Sequence, residues 1–158
     1  MTRVAIALGG NLGDREQVLR AAVSALAGCV EDITLSSFYD TAPVGVGEQP
    51  TFLNAALTGR TTLSAAALLE RLLDIEREFG RERPYPGAPR TLDLDLVLYG
   101  DAIIDAAPSL IVPHPRFRER RFVLDPLAEI AGAWIDPVTG KTVATLRRDL
   151  LLGEADRA

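Results

Sequence analysis

One cysteine and one histidine occur in 158 residues, with Lys141 as the sole lysine, and each scarcity removes a class of protein. A lone Cys29 permits neither an internal disulfide nor a cysteine-ligated zinc cluster, and its apolar neighbours at the predicted end of a helix make it a buried thiol. No stretch approaches the ~20 apolar residues of a membrane span, and the apolar start Val4 to Leu8 is too short for a secretory signal. A cytoplasmic protein with no membrane partner is expected. The formal net charge of -5 argues against a general nucleic-acid binder. With one lysine, positive charge is carried by guanidinium groups, which suit two-pronged contact with phosphate or carboxylate. Neither a repeat nor a low-complexity tract is present. The length and the 47% apolar content fit a single domain over 1–158 with a proper core.

Arg3 to Leu8 reads as a strand, and Asp14, with Gln17 in a capping-box pattern, opens a helix. Val18, Leu19, Ala22, Val23 and Leu26 recur there at helical spacing before Gly28. Ile33 to Tyr39 and Phe52 to Thr58 are predicted strands, the second with Phe52, Asn54 and Ala56 on one face and Leu53, Ala55 and Leu57 on the other. Ser64 caps a helix whose stripe is Leu68, Leu72, Ile75 and Phe79, with Gly80 as its stop. With the strand that follows, the order predicts an α+β fold, a ferredoxin-like βαββαβ sandwich with an antiparallel sheet and a C-terminal elaboration. That elaboration holds a helix near Arg121 to Ala131, a hairpin around Asp136 to Gly140 and a helix near Ala144 to Leu152. The helices lie on one face, leaving the other for a ligand or for the C-terminal segment. Loops 40–51 and 81–90 exceed the usual connection length and read as lids over a substrate.

The last strand of this unit carries the chemistry. In the run 89–99, Leu92, Leu94, Leu96 and Leu98 alternate with Asp93 and Asp95, so both carboxylates share a face with Cβ atoms roughly 7 Å apart. Asp is disfavoured in strands and like charges on one face repel, so the pair points to hard cations.

Two familiar phosphate motifs fail. Leu8 occupies the first-glycine position of a dinucleotide fingerprint at Gly9-Gly10-Asn11-Leu12-Gly13, and Ile135 the opening-glycine position before Gly140-Lys141-Thr142. His114 is more telling, because Pro113 and Pro115 stiffen its segment and Arg116, Arg118, Arg120 and Arg121 follow it closely. Imidazole and guanidinium groups beside a carboxylate pair would cradle a polyphosphate. The residues alone therefore indicate Mg²⁺-dependent chemistry on a nucleotide triphosphate, with no activated nucleophile visible. Another Mg²⁺-dependent transferase, a simple kinase or nucleotidyltransferase, and a metabolite-sensing ferredoxin-like module remain open at this level.

Gly-Gly-Asn-Leu-Gly-Asp at 9–14, Ser-Ser-Phe-Tyr at 36–39, Gln-Pro-Thr-Phe-Leu-Asn-Ala-Ala at 49–56, Gly-Arg at 80–81, Pro-Arg-Thr-Leu-Asp-Leu-Asp at 89–95, Val-Pro-His-Pro-Arg at 112–116 and Arg-Arg-Phe-Val-Leu-Asp-Pro-Leu at 120–127 together resemble the 6-hydroxymethyl-7,8-dihydropterin pyrophosphokinases of folate biosynthesis. The resemblance implies transfer of the diphosphate of ATP to the pterin hydroxymethyl group with release of AMP, using two Mg²⁺ ions; a monomer is expected. It implies Asp93 and Asp95 as metal ligands, Glu76, His114 and Arg120 on the ATP side, and Arg81 and Arg90 as loop arginines engaging the phosphates. The pterin would lie against Phe52, Asn54 and Phe122, with backbone contacts from Thr41, Ala42, Pro43 and Val44. Phe52 and Asn54 sharing a strand face supports this independently, an aromatic platform beside an amide that matches a heterocycle's edge. Two departures stand out: Tyr85-Pro86-Gly87-Ala88 precedes Pro89-Arg90 where many relatives carry a tryptophan before Gly-Pro-Arg, and Pro115 replaces an aromatic found in some relatives.

Overall fold

The computed structural model describes residues 1–11, 13–41, 51–80 and 91–156, and its central element is a strand buried along nearly its whole length. This strand, β1 (Thr2–Gly10), pairs antiparallel with β4 (Phe52–Thr61) on one side and β5 (Asp93–Tyr99) on the other. Outside β4 run β2 (Glu31–Leu35) and β3 (Tyr39–Thr41), so the main path is β2-β4-β1-β5 with β3 also on β4 and β5 at the edge. α1 (Arg15–Leu26) and α2 (Ala65–Glu78) cover one face, their Leu19, Leu26, Leu68, Leu72 and Ile75 packing against Val4, Ile6, Leu8, Leu53, Leu57 and Leu94. Each such leucine, fully buried, contributes roughly 2 kcal/mol. α3 (Arg121–Ala131) and α4 (Val143–Asp156) pack on the opposite face, where Ala5, Ala7 and Ala56 keep the sheet low enough for Val123, Leu124 and Leu127 to close on it. The fold is thus a mixture of α and β with an antiparallel sheet and four described helices. No described helix is long and apolar enough to cross a membrane.

The expected caps are present. Asp14 accepts the Gln17 N–H at 3.2 Å, Ser64 accepts the Ala67 N–H at 3.1 Å, and Gly80 ends α2 with φ of +75°.

Four expectations are corrected by the structure. The strand expected over 33–39 is broken into β2 and β3, because Ser36 replaces a ladder carbonyl with its hydroxyl: Ser36 Oγ accepts the Ala56 N–H at 2.9 Å while donating to Ser37 O at 2.8 Å. β1 runs past its expected end at Leu8 to take in Gly9 and Gly10, which pair with Asn54 and Leu53. Leu98 does not share the face of Leu94 and Leu96. A register shift lets Ala5 oppose Leu98 while Ile6 opposes Leu96, so the intervening Val97 forms a bulge, and Val97 and Leu98 both join the α3 side. Cys29, expected as a buried thiol, is only partly buried just past the end of α1. The C-terminal segment packs on part of the face opposite α1 and α2, as one of the two expected occupants. A hairpin absent from the sequence reading, β6 (Ile104–Ala106) and β7 (Leu110–Val112), follows β5. The bodies of the two loops read as lids, 42–50 and 81–90, lie outside the described residues.

The turn expected at Asp136 to Gly140 is held by a carboxylate with no solvent exposure. Arg118 donates to both Asp136 oxygens at 2.6 and 2.9 Å, Thr139 Oγ1 at 2.7 Å and the Val138 N–H at 3.1 Å. Burial alone would push this carboxyl up, but those donors override it and hold the group at about 2 against an ordinary 3.8. A depressed folded-state value means the stabilisation is complete above the unfolded value and is lost as pH falls through the folded one, a contribution of about 2 kcal/mol. In urea titrations Asp136→Asn should therefore cost the most near neutrality, and its deficit relative to wild type should shrink by about 2 kcal/mol between about pH 4 and pH 2. A deficit independent of pH would refute this account.

Candidate functional site

Beyond the apolar cluster of Ala5, Ala56 and Leu98, the α3 side of the sheet turns polar. Tyr39 opposes Asn54, Asn54 opposes Gly9, and Gly9 opposes Asp93, so four strands contribute one row. One step along, Ala56 opposes Ala7 and Ala7 opposes Asp95. With strands about 4.8 Å apart, the backbones of Asn54 and Asp93 lie about 10 Å apart across a single residue without a side chain. Glycine here leaves room for the amide, since a Cβ at this position would stand 2.7 Å from Asn54 Oδ1 and one of the two would have to shift. Buried Asn54 lays its amide over the glycine and donates from Nδ2 to Thr41 Oγ1 at 2.6 Å. Phe52 begins the same strand face, half-buried, and Phe122 in the first turn of α3 packs against the apolar cluster of Ala5, Ala56 and Leu98.

The carboxylate strand is tied in from two directions. Glu76, buried on α2, accepts the Leu94 N–H at 2.8 Å, a backbone donor lying between the two aspartates in sequence. His114 donates its N–H to the carbonyl of the bulge residue Val97 at 3.0 Å, which sets the histidine beside Asp95. The Arg116 N–H donates to His114 Nδ1 at 3.1 Å, so the ring proton of the neutral form sits on Nε2. Burial holds the imidazole below its ordinary value of 6.5, Asp95 pulls it up, and Arg120 and Arg116 push it down.

The four arginines after the histidine separate into two kinds. Arg118 is absorbed by Asp136, and Arg121 pairs with Asp125 at 2.9 Å and Glu154 at 3.8 Å. Arg120 and Arg116 both act on the histidine ring, and Arg120 lies 5.5 Å from the centre of the Phe122 ring. Beside β5 a cleft of about 260 Å³ is lined by Leu69, Leu94, Asp95, Leu96, Pro108 to Ile111, His114 and Pro115.

The structure thus brings Thr41, Asn54, Asp93, Asp95, Glu76 and His114 onto or beside one end of the sheet, with Phe52, Arg120 and Phe122 bordering it. Ala42, Pro43, Val44, Arg81, Arg90 and Tyr85 lie outside the described residues. Leu69 and the hairpin wall at 108–111 were missed from sequence. The hairpin's signal was a single three-residue apolar run, Leu110 to Val112, too short to separate from loop.

Gly9→Ala should drive Asn54 off its position, costing about 1–3 kcal/mol as overpacking does and shifting the Asn54 side-chain amide signals in NMR spectra. Unmoved amide signals would sink the argument that this glycine seats the amide.

Residues 5–132 match the family described as 7,8-dihydro-6-hydroxymethylpterin-pyrophosphokinase. A 2-amino-4-hydroxy-6-hydroxymethyldihydropteridine pyrophosphokinase of Synechocystis is 45% identical over 143 residues, covering 89% of this chain and 72% of the relative. The protein of the same name from Bacillus subtilis is 50% identical over 127 residues, covering 79% and 75%. Among solved structures, wild-type Plasmodium falciparum HPPK-DHPS superposes with a TM-score of 0.78 at 12% identity, covering 99% of this chain and 46% of that one. The chain therefore spans less than half of that larger protein, and the likeness to it is one of fold. On the extent and identity of the sequence matches, the chain belongs to the 7,8-dihydro-6-hydroxymethylpterin-pyrophosphokinase family.

Proposed function

We propose that this pyrophosphokinase of folate biosynthesis uses the row Asn54–Gly9–Asp93 as the floor on which ATP and 6-hydroxymethyl-7,8-dihydropterin meet. That row is the observation carrying the reading, since it sets a heterocycle-pairing amide two strand spacings from a carboxylate with only a glycine between. The pterin lies between Phe52 and Phe122 with its amide edge on Asn54 and backbone contacts from 41–44, so its hydroxymethyl group points toward Asp93 and Asp95. The nucleoside of ATP occupies the cleft beside β5, against Leu69, Leu96 and the hairpin wall. His114 Nε2–H and Arg120 meet its phosphates, and Glu76 acts on the ATP side by fixing the strand at Leu94.

The donor set fits Mg²⁺. Asp93 and Asp95 offer hard oxygens, and no cluster of three or more histidine, cysteine or carboxylate ligands exists among the described residues. Magnesium commonly binds through one or two carboxylates and leaves its remaining positions to phosphate and water. Two such ions would supply charge neutralisation along the triphosphate. The chain's own residues orient the two substrates, so that the hydroxymethyl oxygen bonds to the β-phosphorus as the bond between the β-phosphorus and the oxygen retained by the α-phosphate breaks and AMP leaves, the hydroxyl proton passing to solvent. Positioning and electrostatics suffice for such a transfer, which accounts for the missing nucleophile. Arg81 and Arg90 engage the phosphates during transfer. The strand order, with β1 and β4 central and β2 and β5 outside, supports reading the sheet with α1 and α2 as a ferredoxin-like unit in a single domain. A monomer acting in the cytoplasm completes the proposal.

Separation of nucleotides after incubation with ATP, Mg²⁺ and the pterin should yield AMP and diphosphorylated pterin one for one. ADP or free pyrophosphate as the stoichiometric product would replace this reading with a simple kinase or a nucleotidyltransferase. Asp93→Asn and Asp95→Asn should each lower turnover by roughly 100-fold or more and weaken Mg²⁺-dependent ATP binding.

A further inference from the structure

We propose that Arg15 is a positioning residue for the pterin side of the site. This rests on the function just proposed, and Arg15 is not among the residues implied to touch either substrate.

Arg15 opens α1, and its side chain is 28% exposed. A single nitrogen, Nη1, donates to Asp40 Oδ1 at 2.7 Å, to the Thr51 carbonyl at 2.8 Å and to Thr51 Oγ1 at 2.9 Å. Thr51 Oγ1 in turn donates to Asp40 Oδ1 at 3.1 Å, closing the cluster. Asp40 lies in β3 and Thr51 immediately precedes β4. The next residues along the chain in each case, Thr41 and Phe52, are the last pair in the register between those strands.

The guanidinium therefore binds the two strands together where their pairing ends, and it does so from the helix that follows β1. Three strands converge at this point, and they are the strands that supply Thr41, Asn54 and Gly9. Asn54 takes its orientation from Thr41 Oγ1 on one side and from the empty Gly9 position on the other. Release of the Arg15 cluster frees Thr41 to drift, and the amide turns with it. An exposed ion pair alone would have little effect, and Asp40 is 61% exposed. Here two of the three acceptors belong to Thr51, one of them its backbone carbonyl, so the consequence falls on alignment more than on global stability.

The test compares Arg15→Gln and Arg15→Lys with wild type. Arg15→Gln should raise KM for the pterin about tenfold while KM for ATP stays within about twofold and the urea midpoint stays close to wild type, since small misplacements next to a substrate carry large kinetic effects. Arg15→Lys should recover most of the loss, because one ammonium nitrogen with three donors can replace the one guanidinium nitrogen that makes every contact. Equal rises in both KM values, a fall in stability with unchanged KM, or a lysine variant no better than glutamine would each overturn the proposal. The Asn54 side-chain amide signals give a readout independent of turnover: they should shift in Arg15→Gln and return in Arg15→Lys. A wild-type protein that made no diphosphorylated pterin would defeat the functional reading instead. Arg15 would then be judged by those amide signals alone, a shift supporting its positioning of Asn54 and unshifted signals overturning it.

Discussion

The pairing of β1 with both β4 and β5 is the constraint on which the site depends. Side chains alternate along a strand, so a register is all or nothing: a slip by one residue between β1 and either neighbour would send Asn54 or Asp93 to the face beneath α1 and α2. The apolar half of the same strands prevents that slip. Leu8 opposite Leu94 and Ile6 opposite Leu57 are buried beneath α1 and α2, and they lock the register that places Asn54, Gly9 and Asp93 in line. The core on one face thus specifies the polar row on the other. Small residues complete the arrangement, since Ala7 and Gly9 keep the floor low between the amide and the carboxylates.

The electrostatics follow a similar division of labour. A cluster of guanidinium groups beside a phosphate site would be poorly defined if all of them were free to reach it. Asp136 takes Arg118 into a fully satisfied turn, and Asp125 is shared by Arg121 and Arg147, the latter at 2.7 Å. Those pairs brace the C-terminal elaboration against α3. Glu129 adds to the bracing by accepting the Tyr39 hydroxyl at 2.7 Å and the Ser37 N–H at 3.0 Å across the broken strand. That hydrogen bond, with burial as a lesser cause, pushes the Tyr39 phenol up to about 12. The strand that carries Thr41 is consequently pinned to α3 at one end and to Arg15 at the other.

Much of this was legible in the sequence, and what was not has physical causes. Periodicity located α1 and α2, Asp14 and Ser64 located their starts, and alternation in 52–58 assigned both faces of β4 correctly. The same alternation failed at Leu98, because a bulge inserts a residue without any composition signal and inverts the pattern beyond it. The break at Ser36 escaped for a related reason, since a hydroxyl replaced a carbonyl in the ladder. The paired aspartates and the histidine between prolines were visible as types suited to polyphosphate chemistry. That Arg118 is taken up by an ion pair was not visible, because its partner Asp136 lies 18 positions away. The Arg15 cluster was hidden likewise, joining residues 25 and 36 positions apart.

The position of the carboxylate strand at the sheet edge follows from the same physics. An edge strand presents unpaired N–H and C=O groups, which cost free energy if buried and invite aggregation if exposed. Here each outward group with an identified partner is satisfied by a residue that also builds the site: the Leu94 N–H by the Glu76 carboxylate, and the Val97 carbonyl by the His114 N–H. The bulge turns Val97 so that its carbonyl meets the histidine segment, which brings imidazole beside Asp95 without a long excursion of chain. A fully paired central strand would leave no backbone groups for either contact. The edge also opens β5 to the cleft, so under the function proposed above a nucleotide entering there would meet Asp95 and His114 on the way to the floor shared with Asn54. Placing the carboxylates on the edge strand therefore solves strand protection and substrate access with the same residues.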